Sequence, residues 1–66
     1  MRNIDYMKLL AAQGWIGTIQ KESERQYALA YLRHCQLVGS RAPVACDYQI
    51  TEDTARTVEL DLQKLL

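Results

Sequence analysis

A chain of 66 residues with zero formal net charge, 48% hydrophobic and 24% charged, is one small domain covering residues 1–66 and no more. No apolar run approaches the ~18 residues that a membrane span requires. The opening Met1-Arg2-Asn3-Ile4-Asp5 leads into a mixed polar helix rather than an export signal, so no membrane role is expected and the expected compartment is the cytoplasm.

The first predicted helix covers about residues 4–13, with Asn3 as its N-cap and Gly14 as its stop. Ile4, Met7, Leu10 with Ala11, and Trp15 recur at helical spacing and form one apolar stripe. Residues 14–20 hold two glycines and read as a bend, packed through Trp15, Ile16 and Ile19. The second helix starts at Ser23 or Glu24 and runs to Val38. Ser23 and Gln26 have the spacing of a capping box, and Gly39 supplies a left-handed stop. Its inward face is Ala28, Tyr31 with Leu32, Cys35 and Val38. Pro43 then opens a short third helix to about Tyr48, since a missing N–H costs nothing at a first helical position. Thr51 caps the fourth, whose Glu52 and Asp53 suit the helix dipole and whose Ala55, Val58, Leu62 and Leu65 repeat at the helical period.

A domain this short buries only about 60% of the surface of its unfolded chain, so a staple or self-association is needed. His34, Cys35 and Cys46 lack the fourth ligand and the close cysteine pair of a zinc site, and no metal or cofactor is expected. Both cysteines read as small buried hydrophobes. A homodimer is the remaining route. Charge is divided along the chain. Residues 1–41 hold six basic and three acidic side chains, a net +3, and residues 42–66 hold two and five, a net −3.

The region of about 43–65 satisfies the packing pattern of a helix-turn-helix. Ala45 is the small residue where two helices cross, Tyr48 the apolar residue one turn on, and Ile50 the aliphatic residue before the cap Thr51. Ala55 and Val58 face inward beyond it. The run Val44-Ala-Cys-Asp-Tyr-Gln-Ile-Thr-Glu-Asp-Thr-Ala-Arg56 resembles the helix-turn-helix of gluconate-repressor and DeoR-type regulators, "L-A-x-x-(F/Y)-G-V-S-x-x-T-V-R". Gln49 stands where that pattern has glycine, and the chain stops at Leu66 with no β-wing, so a wingless variant is expected. The resemblance implies that the start of the last helix enters the major groove of double-stranded DNA. It places Thr51, Glu52, Thr54, Arg56 and Thr57 in the groove, with Leu60 further along: Arg56 for guanine, Glu52 for cytosine, Thr54 and Thr57 for phosphate or a thymine methyl, and Arg41 and Lys64 flanking on the backbone. The bland alternative is a solvated face with a Glu52–Arg56 pair four residues apart.

The acidic last helix opposes phosphate binding, which depends on Lys and Arg. A second reading is therefore a protein-binding inhibitor or adaptor, of the compact phage type, that sequesters a regulatory or enzyme protein. Its interface residues are Tyr27, Tyr31, Leu60 and Leu66. Catalysis is not expected, because His34 has no carboxylate or nucleophile partner in sequence. The expected fold is an all-α bundle of about four helices ending in the helix-turn-helix-like hairpin. Its core draws on Met7, Leu10, Trp15, Ala28, Leu32, Cys35, Val44, Ala45, Tyr48, Ile50, Ala55, Val58 and Leu62.

Overall fold

The computed structural model describes residues 5–37 and 39–66. They form three α-helices and one short 3-10 helix, a small helical bundle with no strand among the described residues. The α-helices are α1 (Tyr6–Gly17), α2 (Glu22–Gln36) and α3 (Glu52–Leu65), and the 3-10 helix Ala45–Tyr48 precedes α3. Helix α2 is central, touching α1, the 3-10 helix and α3.

Helix α1 is capped by Asp5, whose side chain accepts from the Met7 amide at 2.8 Å. The expected cap Asn3 and the stripe residue Ile4 lie outside the described residues. The helix does not stop at Gly14 but continues through Gly17, closed by Thr18, whose hydroxyl donates to the Trp15 carbonyl at 2.6 Å. Two helical glycines cost about 1 kcal/mol each relative to alanine. The continuation offsets that cost by burying Ile16 and by packing Trp15 and Ile19 against the core.

The buried face of α1 is also not the expected one. Ala12 and Ile16 are buried and Leu9 packs beside them, whereas Met7 and Leu10 point outward. Leu9, Ala12, Ile16 and Ile19 step by helical intervals just as Met7, Leu10 and Ala11 do. The helix is apolar nearly all round, so spacing alone does not choose its inner side.

Helix α2 begins at Glu22, one residue before Ser23, so the expected capping box is not made. Lys21 occupies the cap position with no side-chain bond. Arg25 closes this corner by donating to the Ile19 carbonyl at 2.9 Å and to Glu22 at 3.1 Å. Tyr27, Ala28, Leu32 and Cys35 are its buried residues. Its end is Gln36. Val38, expected on the buried face, lies outside the described residues, and Gly39 takes the left-handed φ of 84° that the sequence assigns to it.

The expected helix from Pro43 is instead a four-residue 3-10 turn that starts at Ala45. Val44 before it is extended and 48% exposed, not part of the core. Cys46 is exposed as well, because one 3-10 turn has a single inward position and Ala45 fills it. Gln49 ends the turn in the left-handed region at φ 59° and ψ 39°. Thr51 caps α3 as expected, its hydroxyl accepting from the Thr54 amide at 3.1 Å. Ala55, Val58 and Leu62 are buried, and Trp15, Tyr48, Ile50 and Leu65 pack half-buried around the core.

Candidate binding surface on the last helix

Helix α3 leans on the core through Ala55, Val58 and Leu62. At about 100° per residue, the opposite side is centred on Leu60, which is 51% exposed. One turn to either side of it stand Arg56 and Thr57, Gln63 and Lys64, all exposed. Asp53, exposed, lies two turns before it on the same side. The half-buried Glu59 and Asp61 stand on its two flanks.

Of the seven residues expected to contact DNA, Arg56, Thr57 and Lys64 share the outward side of α3 around Leu60. Thr51, Glu52, Arg56, Thr57, Arg41 and Lys64 are exposed and Thr54 is half-buried. Lys64 is eight residues beyond Arg56, about 12 Å along the axis. The threonines are engaged with the helix itself. Thr51 donates its hydroxyl to that of Thr54 at 3.0 Å while capping its amide, and Thr57 donates to the Asp53 carbonyl at 3.0 Å. Arg56 shares a shallow groove of about 340 Å³ with Tyr27, Pro43, Val44, Glu52 and Glu59, so carboxylates sit on both sides of it.

Of the four residues expected at a protein interface, Leu60 alone presents a large uncovered apolar surface. Tyr27 is a correction: it is only 2% exposed and belongs to the core. Its ring meets Tyr48 edge-on at 5.6 Å, and its hydroxyl donates to Glu59 at 2.5 Å. Burial pushes the Tyr27 hydroxyl well above the usual phenol range, and the bond to the Glu59 carboxylate adds to the shift. Tyr31 is half-buried and accepts from Gln63 at 3.0 Å, and Leu66 folds back against the core. The Tyr27–Glu59 pair spans 32 residues, so no local pattern announces it.

On its other flank α3 forms a second groove, of about 310 Å³, floored by Trp15, Ile19 and Val58 and rimmed by Glu24, Asp53 and Asp61. His34 is half-buried rather than solvated. Its Nδ1 lies 3.0 Å from the Ser40 carbonyl, which ties the end of α2 to the following loop. Among the described residues no cluster of three or more His, Cys, Asp or Glu side chains is placed to hold a metal ion. Nor, among them, is any helix long and apolar enough to cross a membrane. No protein-family model, no characterised protein and no solved structure matches this chain.

Proposed function

We propose that this domain is a non-catalytic regulatory module that acts as a homodimer and binds a protein partner through the outward side of α3. The observation that carries this reading is Leu60, 51% exposed at the centre of that side and surrounded by polar and charged residues. An apolar centre with a polar rim is the anatomy of a small protein-binding hot spot. The charge of α3 favours the same partner class. Its four carboxylates, Glu52, Asp53, Glu59 and Asp61, outnumber Arg56 and Lys64 and repel phosphate. A complementary partner offers an apolar pocket with a basic rim, as expected of a regulator or enzyme that an inhibitor or adaptor sequesters.

The test is a photo-crosslinking side chain at Leu60 in cells that make the protein. A discrete adduct, lost when the same group is moved to exposed Gln20, supports the reading. Absence of any adduct specific to Leu60 sinks it.

One specific observation favours DNA as a second reading. The left-handed turn at Gln49 followed by the Thr51 cap fits the turn and second helix of a helix-turn-helix, while a 3-10 turn, Ala45–Tyr48, stands where that motif has its first α-helix. Titration of a random-sequence duplex at two salt concentrations separates the readings. Protein binding predicts no association even at low salt, whereas binding that weakens steeply with salt moves the assignment to DNA.

A further inference from the structure

The groove floored by Trp15 is assembled from all three α-helices. Helix α1 supplies Trp15, the corner after it Ile19, and the first turn of α2 Glu24. Helix α3 supplies Val58 and the acidic rim positions Asp53 and Asp61, eight residues and about 12 Å apart along one side. At about 310 Å³ the groove is at the lower limit of small-ligand sites, with room for one long side chain. Its floor is apolar and aromatic, and every charged group on its rim is a carboxylate.

Nothing within the chain answers that charge. Glu24 and Asp61 are half-buried and Asp53 is exposed, and none of the three makes a side-chain hydrogen bond or ion pair among the described residues. The neighbouring cations are committed elsewhere. Arg25 donates to the Ile19 carbonyl and to Glu22, and Arg56 opens onto the groove on the other flank of α3. A cleft walled by apolar side chains and lined by one sign of charge concentrates the opposite charge. The carboxylates do not converge on a point, and no group placed to hold a metal ion occurs among the described residues. They are strung along the groove instead, so the cation that fits is an extended one with an apolar stem. Arginine has that stem, and its planar head both stacks on an indole and pairs with carboxylates.

We propose that this groove takes an arginine side chain of the partner protein, its stem over Ile19 and Val58 and its guanidinium among Trp15, Glu24 and Asp61. Asp61 adjoins Leu60 in sequence, so one partner covers the groove and the outward side of α3 together. The inference rests on the reading of the domain as a protein-binding module and names the chemistry of its partner.

Trp15 is the chain's one tryptophan, so its emission reports on the groove directly. The probe is a blocked hexapeptide of alternating alanine and arginine, beside the same peptide with citrulline, which keeps the shape and loses the charge. A saturable change with the arginine peptide and none with citrulline is expected. Glu24→Gln and Asp61→Asn, on different helices, should each weaken the arginine peptide roughly two- to fivefold, the worth of an exposed ion pair, with helical circular dichroism retained. Asp47→Asn removes the same charge outside this groove and should leave binding unchanged. Equal weakening by all three variants reduces the effect to net charge and overturns the proposal. An equal response to citrulline, or to magnesium chloride at matched ionic strength, also overturns it. So does Trp15 emission that changes with protein concentration alone and ceases to do so in Asp61→Asn, which gives the groove to a second copy. No response to the arginine peptide, with the Leu60 adduct intact, overturns the arginine site alone. Loss of the adduct with the peptide response intact overturns the outward side of α3 and leaves the groove standing.

Discussion

At the scale of single residues, two side chains carry unusual physics. Tyr27 is a phenol held in the core by a carboxylate that reaches in from α3. Tyr27→Phe removes the donor and leaves Glu59 with a vacant acceptor, at an expected cost of about 1–2 kcal/mol. The pH dependence has a definite sign. The folded-state pKa is raised above the unfolded value of about 10, so the unfolded chain ionises first. Stability from this group is intact below about pH 10 and declines above it. Alkaline thermal melts of Tyr27→Phe should therefore fall less steeply than those of the wild type, and parallel slopes would refute the linkage. Gln49 is the other case, a non-glycine residue in the left-handed region. That conformation costs roughly 1–2 kcal/mol for an L side chain, and the exposed Gln49 side chain makes no hydrogen bond that compensates. Gln49→Gly is expected to raise the thermal midpoint by relieving strain worth about 0.5–1 kcal/mol, the net after its greater chain entropy. The turn was legible in sequence because Ile50 and Thr51 fix what must follow it. The strain appears only with the backbone angle.

At the scale of elements, the helices that mix polar and apolar residues were the readable ones. In α3 the acidic residues cannot be buried, so Ala55, Val58 and Leu62 have one place to go, and Thr51 marks the start by its hydroxyl. Thr51→Ala removes the bond to the Thr54 amide and should destabilise the domain by about 1 kcal/mol. Thr51→Ser, which keeps the oxygen, should lose much less, and equal losses in thermal melts would show that the cap is not the cause. Helix α1 was unreadable in the complementary way. Apolar residues lie on both its sides, so two stripes compete, and only the shape of α2 and α3 selects Leu9, Ala12 and Ile16 for the core. The glycines misled for a related reason. A glycine ends a helix when nothing beyond it is worth burying, whereas here Ile16 is 1% exposed. The short 3-10 turn was misread in type because Pro43 suits a helix start, yet the chain stays extended through Val44. The outward side of α3 was legible as a surface, since charges declare it. The Tyr27–Glu59 contact across the bundle was not.

At the scale of the whole molecule, the core has little redundancy. Among the described residues the large buried side chains are Ile16, Tyr27, Leu32 and Leu62, and four of the ten buried residues are alanine: Ala12, Ala28, Ala45 and Ala55. Small residues let three helices approach closely, but each contributes little apolar area, so the larger ones carry a disproportionate share. Leu62→Ala should cost about 2–5 kcal/mol through lost burial and the cavity left between helices. A domain below ~70–80 residues rarely holds more than about 3–5 kcal/mol in its core, so this one change consumes most of the reserve. The expected result is a chain largely unfolded at room temperature by circular dichroism. Leu60→Ala, on the outward side of the same helix, should shift the midpoint by less than about 0.5 kcal/mol equivalent. Two similar losses would mean that α3 packs differently from the arrangement seen here.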